Sequence, residues 1–164
     1  MTPRDLVLTP TGLRFRGRTF SCSIGKGGIS DSKREGDGAT PSGVHRITGI
    51  LYRADRLPRP HPLARPIGPR DLWSDDPADP AYNTHVHAPH NYSHEKLRRA
   101  DPLYDVVLLT DWNTDPAEPG KGSAIFLHQR RRPGYPTEGC VAFDRADLLW
   151  IAARLEPGRT RLIV

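Results

Sequence analysis

The stretch PTEGCVAF, residues 136–143, combines a turn-like start with an apolar strand, and it places Cys140 at the junction between them. Earlier in the chain, the apolar segment SAIFLHQ carries His128 near its end. If these two segments are neighbouring antiparallel strands, the end of the first lies beside the start of the second. We therefore predict that His128 and Cys140 meet at one rim of a sheet.

This pair of side chains suits nucleophilic catalysis. A thiolate is the reactive form of cysteine, and an imidazole beside Cys140 can take the thiol proton or stabilise the resulting anion. Gly139 has no Cβ, so a substrate carbonyl can approach closely, and the backbone N–H groups around Gly139 and Cys140 could form an oxyanion hole. From spacing alone, the alternative is a buried cysteine at a strand start beside a hydrogen-bonded histidine.

Strand-like segments dominate the chain on both sides of this pair. The 15 glycines and 17 prolines among 164 residues favour strands and turns over long helices. Apolar patterns predict further strands at DLVLT, GLRFR, RTFSCSI, VHRITGIL, LYDVVLLTDW and TRLIV. One helix is predicted at DRADLLWIAARL, residues 144–155, with Asp144 as its cap. The sequence therefore predicts a mainly β chain that forms a single domain over residues 1–164.

A long proline-rich insertion occupies residues 52–102. It shows little periodicity, apart from a possible short helix at SHEKLRRA, residues 93–100. A stretch of this kind inside a compact domain is either disordered or a functional covering loop. Its aromatic residues favour the covering loop.

Within the insertion, HVHAPHNYSH carries four histidines. His85 and His87 would share one face of a strand, which is a spacing that metal ligands use. A metal site also needs a third ligand and groups that orient the ligands, and neither is visible here, so we predict no metal. We expect these residues to line or cover the thiol pocket, with His94 and Glu95 as the best candidates for contact.

Composition narrows the classes of partner and of site. Cys22 and Cys140 form no C-x-x-C pattern, so we predict neither a disulfide framework nor a structural zinc site, and we interpret Cys22 as an inert strand residue.

The net charge of +5 favours an anionic partner without distinguishing nucleic acid, a membrane surface or a carboxylate-rich polymer. The glycine-rich segment 25–43 lacks nucleotide-binding spacing. No export signal or membrane-spanning segment is visible, so we predict no membrane insertion.

Taken together, the motifs resemble the L,D-transpeptidase catalytic domain, the YkuD-type family of cysteine enzymes of bacterial peptidoglycan. The resemblance is carried by the segment ending in ATPSG, by the strand with His128 and by TEGCVAF. Four residues match the family motif, namely Thr137, Gly139, Cys140 and Val141, and His128 takes the place of the general base.

The chain also departs from the family motif in three ways. Glu138 replaces the second histidine, Ala142 stands where Arg or Asn is usual, and the spacer from His128 to Thr137 is short. These departures indicate a divergent branch of the family. The sequence outside the motif resembles compact proteobacterial members of the family that have a TEGC or TAGC motif.

The resemblance implies a β-sandwich or barrel-like sheet with a helix packed on it, and we expect the long insertion to cover the site. It implies a thioester on cysteine, no cofactor, and peptidoglycan stem peptides as substrates, with cross-links involving meso-diaminopimelate, possible links from L-Ala to diaminopimelate, or exchange of D-amino acids. The alternatives are an L,D-carboxypeptidase or endopeptidase of the same fold and a non-catalytic peptidoglycan-binding module. We expect a monomer without a nucleic-acid partner, and the implied substrate places it in the periplasm.

Several further residues are candidates for substrate binding. The predicted set is Thr137, Glu138, Arg53, Tyr82, Asn83, His94 and Glu95. For Arg53, as for the arginines at 130–132, solvated surface charge is the alternative to binding a stem-peptide carboxylate. For Tyr82 and Asn83 the alternative is packing within a turn. We expect Glu138 to point to the acceptor side of the pocket and to bind the incoming amino group.

Overall fold

The computed structural model describes residues 1–164, which form fifteen short strands and one helix. The strands are β1 Leu6–Thr9, β2 Gly12–Phe15, β3 Arg18–Phe20, β4 Cys22–Ser23, β5 Ile29–Ser30, β6 Thr40–Pro41, β7 Val44–Tyr52, β8 Arg65–Pro66, β9 Asp71–Ser74, β10 His85–His87, β11 His94–Lys96, β12 Val106–Thr110, β13 Phe126–Gln129, β14 Val141–Phe143 and β15 Arg161–Ile163. The helix, α1, spans Arg145–Ala152.

Ten strands form one sheet that closes on itself almost like a barrel, with a single helix, as the resemblance implies. Their order is β3-β2-β1-β15-β7-β12-β13-β14-β4, and β8 pairs beside β7. The nine-residue β7 lies in the middle of this order and joins its two halves, because it pairs with β15 on one side and with β12 on the other. The prediction of a mainly β fold is confirmed.

The helix covers one face of this sheet through a short apolar stripe. Leu148, Ile151 and Ala152 are buried in the larger core cluster, which also contains Phe143 of β14. Asp144 occupies the N-cap position, but its side chain makes no capping hydrogen bond. The prediction of a capping side chain is therefore wrong, because the carboxylate pairs with Arg130 instead, at 2.6 Å.

His128 lies on β13, and Cys140 directly precedes β14. These two strands run in the same direction. β13 pairs with β14 in parallel register, with Leu127 opposite Val141 and His128 opposite Ala142. The prediction of an antiparallel pair is wrong, because residues 130–140 form a crossover that returns the chain to the start of β13 rather than a hairpin. Cys140 consequently lies at the start of β14, level with the beginning of β13.

The insertion is an ordered three-stranded sheet with the order β10-β9-β11. The predicted helix at residues 93–100 is wrong, because β11 pairs antiparallel with β9 and sets Glu95 opposite Trp73. Pairing along β9 overrides the weak helical pattern of this polar segment. Trp73 packs edge-on against Phe126 of β13, with ring centroids 4.9 Å apart, so the insertion lies against the strand that carries His128.

No helix in the structure has the length and apolar character needed to cross a membrane.

Candidate active site

Cys140 and His128 line the same cavity, whose volume is ≈ 450 Å³. Its walls come from the crossover 130–140, from β13, from the insertion and from the glycine-rich segment. Charged side chains of both signs line the cavity. The basic ones include Lys33, Arg99 and Arg131, and the acidic ones are Glu35, Glu95 and Glu138. Several of these charges already have partners within the protein, since Lys33 pairs with Asp37 and Arg99 with Asp101.

The thiol of Cys140 is held in place by two backbone groups. Its Sγ donates to the carbonyl oxygen of Ala124 at 3.1 Å and accepts from the N–H of Phe126 at 3.4 Å. Burial raises the pKa of Cys140 from 9.0 to about 12, since an apolar environment disfavours the thiolate. The resting group is therefore a protonated thiol that needs a base in order to react.

The imidazole of His128 is oriented by its own strand. Its Nδ1 lies 2.8 Å from the carbonyl oxygen of Gln129, and a carbonyl can only accept, so Nδ1 carries the proton and Nε2 of the neutral ring keeps a free lone pair. Burial lowers the pKa of His128 from 6.5 to about 4. The edge of the ring also packs on Tyr104, with centroids 5.3 Å apart. No hydrogen bond joins His128 to Cys140, although both line the cavity, so the structure places a neutral imidazole in the same cavity as the thiol.

Gly139 adopts a backbone conformation that other residues rarely reach, with φ at +140°. A Cβ at this position would lie 2.8 Å from the carbonyl oxygen of Ala39. The glycine carbonyl accepts from Oγ1 of Thr40 at 2.8 Å, which ties the TEGC turn to the ATPSG segment. Gly139 is therefore required by the close approach of these two segments.

The backbone N–H groups of the same turn differ in whether they are paired. The N–H of Gly139 already donates to Oγ1 of Thr137 at 3.1 Å, and that hydroxyl donates to the carbonyl of Cys140 at 2.6 Å. The N–H of Cys140 makes no hydrogen bond. Of the two donors predicted for an oxyanion hole, the N–H of Cys140 is the one that the structure leaves available.

Replacing Gly139 with alanine should destabilise the protein by about 2–3 kcal/mol, because the new Cβ meets a backbone oxygen in an already unfavourable conformation. Gly134→Ala is the matched control, since Gly134 lies in the same crossover at φ +74° with open space around it, and it should cost only about 1–2 kcal/mol. Urea unfolding of both variants measures the difference. Equal losses of unfolding free energy in the two variants would show that the carbonyl oxygen of Ala39 leaves room for a Cβ at position 139.

Asn83 acts on the thiol indirectly, through Ala124, and it does not line the cavity. Its Oδ1 accepts from the N–H of Ala124 at 3.0 Å and from Nε1 of Trp73 at 2.9 Å. Because the carbonyl of Ala124 is the acceptor for Cys140, Asn83 fixes the residue that orients the thiol. Sequence reasoning missed Ala124, since a backbone carbonyl leaves no signal in side-chain chemistry.

Glu95 and Tyr104 form a buried polar pair in the cavity wall. The hydroxyl of Tyr104 donates to Oε2 of Glu95 at 2.7 Å. Burial raises the pKa of Glu95, and burial together with the nearby carboxylate raises the pKa of Tyr104 well above its usual value. Tyr104 also contacts His128, so this pair connects the insertion to the predicted base.

The predicted substrate-binding residues divide into two groups. Thr137, Glu138 and Glu95 line the cavity, whereas Arg53, Tyr82, Asn83 and His94 do not. The guanidinium of Arg53 is buried and makes two hydrogen bonds of 2.8 Å to Asp55. The hydroxyl of Tyr82 donates to Glu35 and accepts from Gly122, and Nδ1 of His94 lies 2.7 Å from the carbonyl of Tyr92.

The three consecutive arginines of the crossover also have different surroundings. Arg130 lines the cavity, but its guanidinium is engaged by Asp144. Arg131 and Arg132 both lie over the ring of Tyr135, at 5.9 and 4.8 Å from its centroid, and neither pairs with a carboxylate. Arg131 is therefore the one of the three that lines the cavity without a carboxylate partner.

The model of the YkuD family, the L,D-transpeptidase catalytic domain, matches residues 6–164. The chain belongs to the YkuD family. A search of curated proteins found no match to it. Membership confirms the resemblance, and the members of this family act on the peptidoglycan of the cell wall, outside the cytoplasm.

Proposed function

We propose that this YkuD protein is a cysteine L,D-transpeptidase that joins peptidoglycan stem peptides in the periplasm through a thioester on Cys140. The proposal rests on one observation, namely that a protonated thiol, a neutral imidazole and an unpaired backbone N–H border a single cavity. These are the nucleophile, the general base and the oxyanion donor that acyl transfer needs.

In the first half-reaction, Nε2 of His128 takes the thiol proton while Sγ of Cys140 attacks an amide carbonyl of the donor stem peptide. The oxygen of the tetrahedral intermediate accepts a hydrogen bond from the N–H of Cys140. The carbon–nitrogen bond then breaks, and the leaving amine takes the proton from His128. The donor carbonyl follows the L-configured centre of meso-diaminopimelate, and the departing group is a D-amino acid.

In the second half-reaction, an amine attacks the thioester carbon and the carbon–sulfur bond breaks. His128 accepts the proton of the attacking amine and returns it to the Cys140 sulfur. An amine of a neighbouring stem gives a cross-link, and a free D-amino acid gives an exchanged stem. If Cys140 instead attacks the carbonyl of L-Ala in the first half-reaction, transfer to an amine of diaminopimelate gives the link from L-Ala to diaminopimelate.

Charges at the rim supply recognition of the two peptides. Arg131 has no carboxylate partner within the protein and can form paired hydrogen bonds with a stem-peptide carboxylate. The carboxylate of Glu138 already lies 2.8 Å from the ammonium of Lys26, which shows that a cation fits against it. An incoming amine can take a similar position at this rim.

The direct test is incubation of the protein with purified muropeptides, with the products read by mass spectrometry. A cross-linked dimer or an exchanged terminal residue supports transpeptidation. Loss of a residue with addition of water identifies an L,D-carboxypeptidase or endopeptidase of the same fold. Retention of muropeptides without a change in mass identifies a binding module, and either of these last two results overturns the proposal.

Glu138→Gln should separate the two half-reactions. If Glu138 binds the acceptor amine, acylation of Cys140 stays near normal, while transfer to an amine slows by about two- to fivefold, the range for an exposed ion pair. A larger share of product then goes to water. Lys26→Gln is the matched control, since it removes the present partner of Glu138 and leaves the carboxylate free for the acceptor. Equal losses in acylation and transfer would show that Glu138 acts on the nucleophile or on folding.

A further inference from the structure

A second cluster of chemically active side chains lies outside the cavity, on the sheet of the insertion. His85 and His87 stand on the same face of β10 because side chains two residues apart in a strand point the same way. Asp71, the first residue of β9, is directly opposite His87 in the antiparallel register. Asp71 on the neighbouring strand therefore supplies the third potential metal ligand, which the sequence alone did not reveal.

The donor atoms of these three side chains converge. Nε2 of His85 and Nε2 of His87 each lie 3.1 Å from Oδ1 of Asp71. One ligand atom from each residue falls within 4.8 Å of the other two. Ligand atoms around a tetrahedral zinc ion lie about 3.3 Å apart, which follows from zinc–ligand bonds of about 2.0–2.1 Å. The two contacts to Asp71 already match that spacing, and the two imidazole nitrogens are close enough, within 4.8 Å, for one ion to draw them together.

The carboxylate is held so that one oxygen faces the histidines. Oδ2 of Asp71 accepts a hydrogen bond from the N–H of Gly68 at 2.6 Å, which leaves Oδ1 directed at the two imidazoles. Metal-binding carboxylates are commonly oriented by an outer hydrogen bond of this kind. The ligands are also accessible to an ion from solvent, because the side chain of His87 is 62% exposed.

We propose that Asp71, His85 and His87 bind one zinc ion, with water in the remaining coordination position. Two imidazoles and one carboxylate suit zinc and disfavour magnesium or calcium, which prefer oxygen ligands. The ion would fasten β10 to β9, and β9 carries Trp73, which packs against the cavity wall. Zinc binding at this position does not depend on the reaction proposed for Cys140.

The test measures zinc uptake in a protein without the cavity thiol. Cys140→Ala serves as the host, because a thiol is itself a zinc ligand, and any polyhistidine tag is removed. Calorimetric titration with zinc chloride should show about one site for each chain. Adding His87→Ala or Asp71→Asn to this host should weaken binding by at least about tenfold. His61→Ala is the matched control, since His61 lies elsewhere in the insertion, and it should leave the affinity unchanged.

Thermal unfolding supplies a second readout. Zinc should raise the unfolding temperature of the host and of the His61→Ala control but not that of the His87→Ala variant. His87 is largely exposed, so its replacement leaves the fold intact, and circular dichroism verifies this. Absence of saturable uptake by the host overturns the proposal, and so does uptake that both ligand variants retain or that His61→Ala weakens equally.

Discussion

Replacing Cys140 with alanine should abolish acyl transfer, with a loss of about 10⁴-fold or more, while the protein stays folded. The loss is large because Cys140 carries the only thiol that lines the cavity. The packing cost is modest, at about 1–2 kcal/mol, since a single small buried atom is removed. Turnover of muropeptides measures the first effect, and urea unfolding measures the second.

Cys22→Ala is the matched control for this prediction. Cys22 lies on β4, opposite Phe143 of β14, and it does not line the cavity. Burial raises the pKa of Cys22 as it raises that of Cys140, so the position outside the cavity is what distinguishes Cys22 from the proposed nucleophile. The control should retain full activity. Full activity in the Cys140→Ala variant, or loss of activity in the Cys22→Ala variant, would contradict the assignment of the nucleophile.

His128→Gln should lower kcat/KM by about 10²–10⁴-fold, because it removes the base that accepts the thiol proton. The pH profile of the unmodified enzyme gives a sharper test. Protonation of His128 removes the lone pair of Nε2, so the rate falls as the pH drops through the pKa of this group. Since burial lowers that pKa from 6.5 to about 4, the rate should hold its plateau through the range where an exposed histidine would already be protonated.

Glu95 needs a control in this experiment, because burial raises the pKa of its carboxyl group and it also borders the cavity. Glu95→Gln should keep the fall in rate near pH 4 if His128 causes it. On the alkaline side, alkylation of Cys140 should remain slow until well above pH 9, since burial raises the thiol pKa to about 12. A fall in rate centred near pH 6.5 would show instead that the imidazole of His128 is solvated in the working enzyme.

The main strands were predictable because their apolar patterns reflect burial. β7 and β12 carry continuous or alternating apolar residues, and both were predicted. The relative direction of β13 and β14 was not predictable, because the polar connection at residues 130–140 can form a hairpin loop or a crossover equally well. β11 was missed because His94–Lys96 contains no apolar residue and is a strand only through its pairing with β9.

For the candidate site, motif and chemistry located Cys140, His128 and Gly139, but not the groups that hold them. The carbonyl of Ala124 and the side chain of Asn83 act through backbone geometry that no sequence pattern records. Arg53 was conspicuous for its charge, yet its guanidinium is hydrogen-bonded to Asp55 and to the carbonyl of Arg99, and it does not line the cavity. Tertiary neighbours decide which polar residues face a ligand and which stabilise the fold.

The most direct test of the central claim is the mass of the intact protein during turnover. The protein is mixed with a donor muropeptide without an acceptor amine, quenched in acid, and digested to locate any adduct. We predict an added mass equal to the donor acyl group, located on Cys140, and its discharge when an amine acceptor is supplied. Product formation without an adduct on Cys140, or the same adduct in the Cys140→Ala variant, would contradict the account.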